Sequence, residues 1–404
     1  MTGICSIIKE IEARKSYQLR RASNRYIKLI LIMASQIISY KFRISKPSKT
    51  VQERLEQTLR LCKDLYNASL QERRDAYQIN RIALNYHTQR AQLPDIKTTN
   101  HEYKEIYSQV LQDVLKRVEK SFDGFFRRIK AKQKAGFPRF QGANRYDSFT
   151  YPQSGFSLTD NRLTLSKIGK VKIKLSRNVV GKVKTCTIKR EIDKWFVIFT
   201  VETETEPLPK TGESVGIDAG VCQFLTLSDG TTVENNRLYQ SAQKSLRVAQ
   251  RAVARKKKGS NNRKKAVLKL RKIHQKIKNC RADYQHKVST WLIKNYDVIC
   301  IEKLNLAGMV KSNLGKSLND VAIGMFYNML EYKAVSAGKE LIKVPAHFTS
   351  QTCHACGHCE KANRKTQADF ECVKCFHKNN ADINAALNIL RLGINRLDAT
   401  HNIS

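Results

Sequence analysis

Negative charge is scarce in this chain. Its 404 residues hold 35 Asp+Glu against 74 Lys+Arg, a net charge of +39. A compact fold with that excess repels itself unless a polyanion neutralises it, and counterion release makes nucleic acid the natural partner, with a membrane surface the weaker alternative. Long apolar runs are missing too: none approaches the roughly 18 to 20 residues that span a bilayer, which excludes a membrane-spanning segment. The stretch YIKLILI is short and interrupted by Lys28, so it does not read as a secretory signal. Without one, the 11 cysteines read as reduced thiols and metal ligands, not as a disulfide framework, and the expected compartment is cytoplasmic.

What is present divides by pattern. Met33 is followed by ASQIISYKFRI, an alternating run that predicts a first strand, so translation is expected to begin at Met33 with residues 1–33 an untranslated or disordered extension. From Val51 apolar residues recur at helical spacing (Leu55, Leu59, Cys62, Tyr66, then Val110, Val114, Val118), predicting a helical lobe broken by HTQRAQLPDIKTTN. Arg127 and Arg128 lie on its opposite face, and Arg139 follows in GFPRF; these could line a phosphate backbone. Residues 147–206 alternate apolar with polar side chains between turn residues, predicting a small antiparallel barrel or sheet. In KVKIKL the period of two sends Val171, Ile173 and Leu175 inward and Lys172 and Lys174 outward, onto a face that is either solvated or phosphate-binding. Between Lys244 and Arg281 stand 16 Lys+Arg and no acidic residue. Leu246, Val253, Leu270 and Ile277 keep an apolar side there, predicting an ordered basic hairpin whose Arg255, Lys256, Lys257, Arg263 and Lys264 touch a backbone without reading bases.

Three carboxylates follow one another in a restrictive order. Asp218 lies in the strand-like SVGIDAGV, Glu302 ends the strand-like DVICIEKLNL, and Asp382 opens the helix-like ADINAALNILRL. Phosphodiester hydrolysis needs an activated water and a stabilised leaving oxygen, which two divalent ions about 3.5 to 4 Å apart supply through hard oxygen ligands. The three carboxylates are therefore candidate ligands for two catalytic magnesium ions. Alternation sets Gly216 and Asp218 on the strand face opposite Val215 and Ile217. Between the second and third carboxylates, Cys353 and Cys356 are separated by 15 residues from Cys372 and Cys375. Two CxxC turns at that spacing predict one four-cysteine structural zinc site, with His354, His358 and Cys359 as bystanders.

These stretches, with YKFRI, SFDGFFRR, GFPRF, IEKLNLAGMVK, LEYKA, SQTCHACGH and DINAALNIL, make the chain resemble the TnpB family of transposon-encoded RNA-guided nucleases related to type V CRISPR effectors. The resemblance implies a mixed α/β architecture: a β-barrel wedge domain (34–50 and 141–209) split by a helical recognition lobe (51–140). A ribonuclease H-like RuvC nuclease domain (210–346, with the basic hairpin at 240–290) follows, then a zinc ribbon (347–379) and a final RuvC segment (380–404). It also implies a guide RNA from the transposon end, double-stranded target DNA cut at one RuvC site, and specificity carried by base pairing. A monomer is favoured. The chain departs from the family pattern at Phe376, where relatives usually have Gly, and at Ala381, where they have Arg. Two other readings stand beside the nuclease: an RNA-guided repressor that binds without cutting, which Ala381 favours, and a transposase that joins DNA ends directly.

Overall fold

The computed structural model describes residues 35–142, 145–220, 222–303 and 322–401. The expected extension at 1–33 and most of IEKLNLAGMVK lie outside the described residues. The chain divides into two compact units between Glu204 and Thr205. No described helix is long and apolar enough to cross a membrane.

In the first unit β1 (Ser35–Ile44) is followed by two long helices, α1 (Lys49–Asn80) and α2 (Ser108–Lys130). Ser48 caps α1 by accepting from the Val51 amide. Leu55, Leu59, Cys62 and Tyr66 of α1 are buried, as are Val110, Val114 and Val118 of α2. The polar stretch between them is more ordered than its composition suggests: it forms two short helices, Tyr86–Ala91 and Leu93–Thr99. A capping box between Asn85 and Thr88 starts the first, and Pro94 stands in the opening turn of the second.

The strands after the helices return to β1. They are β2 (Ser148–Tyr151), β3 (Phe156–Thr159), β4 (Arg162–Leu165), β5 (Gly169–Lys174), β6 (Lys182–Glu191) and β7 (Lys194–Glu204). Together they make a seven-stranded antiparallel sheet in the order β2-β6-β7-β1-β5-β4-β3. β1 pairs with β7 from Ser35↔Glu204 to Arg43↔Phe196, so a strand from one side of the helices completes a sheet from the other. The period of two in β5 buries Val171 and Ile173 and exposes Lys172 and Lys174.

The second unit holds a five-stranded sheet: β8 (Ser214–Ala219), β9 (Gln223–Leu227), β10 (Thr232–Glu234), β11 (Val298–Lys303) and β12 (Glu340–Pro345). The order is β10-β9-β8-β11-β12; β8 to β10 form an antiparallel meander, while β11 and β12 run parallel to β8. This is a ribonuclease H-like sheet.

Two helices, α3 (Leu238–Ala254) and α4 (Asn261–Asn295), form the basic hairpin between β10 and β11. The far end of α4 packs Val288, Leu292 and Ile293 on the sheet beside Phe326 and Leu330 of α5 (Ile323–Ala337). The last helix, α6 (Ala381–His401), lies against β8 and β11, with Ile389 packed on Cys300 and Val344. Ahead of it a small hairpin, β13 (Asp369–Glu371) and β14 (Lys378–Asn380), belongs to the cysteine-bearing ribbon.

Candidate active site and metal centres

Parallel pairing of β8 with β11 sets Ile217 opposite Ile301, so Asp218 and Glu302 follow at the same level on neighbouring strands. They stand at the carboxyl ends of these strands, where the sheet changes direction of growth, the usual place for a site in an open α/β sheet. The third carboxylate arrives on α6. Asn380 caps that helix by accepting from the Asp382 and Ile383 amides at 2.9 and 3.2 Å, fixing Asp382 in the first turn.

α6 reaches the strands because β8 carries glycine beneath it. A Cβ on Gly216 would stand 2.6 Å from the Leu390 amide nitrogen and would collide with the Ala386 carbonyl. Farther along α6, Gly393 admits Cys300 of the neighbouring strand β11 in the same way, with 2.8 Å between the Cys300 Cβ and the place a Cβ on the glycine would take.

Asp218 feels the other two carboxylates. Burial, then the charges of Glu302 and Asp382, push the Asp218 carboxyl up to about 7, while the Arg364 guanidinium and the Ala219 amide draw it back. Burial raises Glu302, opposed by a hydrogen bond from the Thr349 hydroxyl, and burial raises Asp382, opposed by Arg364. All three carboxyls are raised by burial, and their oxygens are hard donors of the kind divalent ions prefer, although among the described residues only the cysteine quartet gathers its ligand atoms as tightly as a single ion requires.

Arg364 and Thr349 were not singled out from the sequence. Arg364, in the polar run KANRKTQ, donates to the Gln367 carbonyl at 3.0 Å and reaches Asp382 at 3.5 Å. Ala381, by contrast, is fully buried with Cys353, Phe370 and Cys372. A guanidinium therefore stands beside the last carboxylate although the residue preceding it in sequence is alanine.

Thr349 is held from α6. Asn388 donates to the Thr349 carbonyl at 3.0 Å and to the Thr352 carbonyl at 2.6 Å, and Asn384 donates to the Thr352 carbonyl at 2.9 Å. Both asparagines are buried. Their i, i+4 spacing on an apolar helix face was the available signal, because asparagine is a poor mid-helix residue unless its amide is used.

The four cysteines meet as their spacing predicted. Cys353 and Cys375 sulfurs are 3.7 Å apart, Cys356 and Cys372 sulfurs 3.6 Å, and all four lie within 4.8 Å of one another. A tetrahedron with Zn–S bonds of about 2.3 Å has edges of about 3.8 Å, so the donor set fits zinc. The knuckles match: the Gly357 amide donates to the Cys353 carbonyl and the Phe376 amide to the Cys372 carbonyl, both at 2.9 Å. Gly357 and Phe376 both adopt positive φ, +75° and +58°. His358 pairs with Glu360 at 3.0 Å, outside the quartet.

Of the predicted nucleic-acid contacts, Arg127, Arg128, Arg139, Lys172, Lys174, Arg255, Lys257 and Lys264 are exposed and Lys256 is partly so. Arg263 is turned to structure: it donates to the Val253 and Lys256 carbonyls at 2.9 and 3.1 Å, closing the turn between α3 and α4.

Residues 198–313 match a family described as "Probable transposase", and residues 324–389 match "Cas12f1-like, TNB domain". The chain is 34% identical over 376 residues to "Putative RNA-guided DNA endonuclease InsQ" of Escherichia coli (strain K12), covering 88% of this chain and 92% of that one. The chain belongs to the TnpB family. Another member, from Streptomyces pristinaespiralis, is 31% identical and covers 88% of this chain and 89% of its own length. "CRISPR-associated endodeoxyribonuclease Cas12f1" of Sulfoacidibacillus thermotolerans is 26% identical, covering 51% of this chain and 52% of that one. Among solved structures, the Cas12f1 chain of a Cas12f1-sgRNA-target DNA complex superimposes with a TM-score of 0.57 at 15% identity, covering 88% of this chain and 99% of that one. TnpB membership and this shared fold agree with the ribonuclease H-like sheet, and the matched TNB segment contains the cysteine quartet.

Proposed function

We propose that this TnpB-family protein is an RNA-guided DNA endonuclease that takes its guide from a transposon-end transcript and cuts double-stranded DNA at the site built from Asp218, Glu302 and Asp382. What supports it most is that Asp218, on a strand paired in parallel with the one ending in Glu302, feels the charges of both Glu302 and Asp382, in a protein whose net charge is +39. Carboxylates coupled through space in so basic a chain call for a cation. Magnesium ions held by the three carboxylates would activate water and stabilise the leaving oxygen.

The protein's own residues do the rest. Thr349 orients Glu302 by donating to its carboxylate, and Asn388 holds Thr349 from α6. Arg364, free to leave Asp382 for a phosphate oxygen, supplies positive charge where negative charge develops. The four cysteines would hold a structural zinc that fixes the loop bearing Arg364. Exposed lysines and arginines on β5, α2 and the α3–α4 turn would grip backbones of guide and target without reading sequence.

The ribonucleoprotein would be purified from cells, its RNA sequenced, and DNA matched to that RNA added with magnesium. Cutting by the wild type and binding without cutting by Asp218→Ala is the expected result. Tight binding without a cut by the wild type would make the protein a repressor, and strand transfer without RNA a transposase.

A further inference from the structure

Tyr327 sits one turn into α5, and its hydroxyl is buried without a hydrogen-bond partner among the described residues. The residue is 8% exposed. A buried phenol normally finds an acceptor, so an orphaned one marks either a defect or a group that waits for a partner. Its position favours the second. The crossover from β11 to β12 returns through α5, so the first turn of this helix lies toward the sheet edge at which β11 ends, and β11 ends at Glu302–Lys303. Tyr327 belongs to the same apolar core as Ile217 and Ile301, the residues that immediately precede Asp218 and Glu302 on their strands.

We infer that the Tyr327 hydroxyl is a further positioning group of the carboxylate site, donating to Asp218 or Glu302 as these carboxylates turn to take divalent ions. The inference rests on the nuclease reading of that site. Its electrostatic surroundings agree: burial, then the charges of Glu302 and Asp218, hold the phenol well above its ordinary range, so it remains a neutral donor at any working pH. A donor placed there stabilises the ionised carboxylate that ion binding requires. In this structure the hydroxyl stays desolvated and unpaired among the described residues.

Tyr327→Phe removes one oxygen and keeps the packing. The zinc-loaded full-length protein should then be as stable as wild type or more so in magnesium-free buffer, since an unpaired buried hydroxyl is gone. It should nevertheless bind Mn2+ several-fold more weakly, by electron paramagnetic resonance of the free ion, and the ribonucleoprotein should cut matched DNA about tenfold more slowly, the loss of one charge-assisted hydrogen bond. Saturating magnesium should restore part of that rate. A hydroxyl that only supports the fold would give the reverse, a lower melting temperature with unchanged Mn2+ affinity, and that result overturns the assignment. Asp218→Ala separates the two readings. If it is dead while Tyr327→Phe binds ions and cuts as wild type does, only the tyrosine assignment falls; if Asp218→Ala itself cuts, the nuclease reading falls and takes the tyrosine with it.

Discussion

Leu390 lies on Gly216 so closely that a Cβ on the glycine would stand 2.6 Å from the Leu390 amide nitrogen. Two residues beyond Gly216 on the same strand face is Asp218. Eight residues before Leu390, about two helical turns, is Asp382. The contact therefore sets the distance between a strand carboxylate and a helix carboxylate, and the glycine is part of the site although it bears no chemistry.

Gly216→Ala should consequently push α6 away from β8. Overpacking of this kind costs about 1 to 3 kcal/mol. The melting temperature should fall and single-turnover cleavage should drop by more than the loss of folded protein explains, because Asp382 moves with the helix. Zinc content, measured by atomic absorption, should stay at one ion per chain.

The Asp218 carboxyl gives a pH dependence with a definite sign. Its folded value, about 7, lies above the ordinary 3.8, so the folded protein binds the proton more tightly than the unfolded chain. The stability contributed by that proton is present below the ordinary carboxylate range and is lost as pH rises toward 7. In magnesium-free buffer that leaves zinc in place, Asp218→Asn should therefore melt higher than wild type at pH 8, with little difference at pH 4. Adding magnesium at pH 8 should raise the wild-type melting temperature and leave Asp218→Asn unmoved.

Arg364 lowers both Asp218 and Asp382 against burial. In Arg364→Ala both carboxyls should move further up, so the acid limb of the cleavage rate profile should shift to higher pH. Arg364→Lys keeps the charge without the planar fork and should restore the limb more than the maximal rate. A profile unchanged in Arg364→Ala would remove this residue from the site.

Phe376 occupies the left-handed turn of the second cysteine knuckle with φ of +58°, the position that Gly357 fills in the first, and the residue is 71% exposed. A bulky side chain there costs about 1 kcal/mol or more and gains no burial in return. Phe376→Gly should slow zinc release to a chelating dye, and Gly357→Phe should accelerate it. Equal release rates for wild type and both variants would show that the strain is absorbed elsewhere.

Much of this was legible from local pattern. The alternation in KVKIKL fixed which of its residues are buried, because a strand has only two faces, and the paired CxxC turns defined a four-sulfur site, because each turn presents two thiolates to one side. The stretch HTQRAQLPDIKTTN did not read as helical, since its polar content hid a capping box that works at the level of individual side chains. Arg364, Thr349 and Tyr327 were not legible either. Each belongs to a stretch without distinctive spacing; Thr349 and Arg364 reach Glu302 and Asp382 through the crossing of separate elements, and Tyr327 lies within the field of Glu302 and Asp218.

The sequence by itself determined the partner class through a net charge that a polyanion must neutralise, the cysteine quartet through its spacing, and the strand and helix that carry each carboxylate through periodicity. Only the tertiary structure decided how those carboxylates interact, because burial raises all three and Asp218 is raised further by Glu302 and Asp382, each more than 80 residues away in the chain. It also decided that an arginine from the ribbon stands beside Asp382 while the alanine preceding Asp382 is buried. Electrostatic coupling and close packing depend on distance in space, which chain order does not encode.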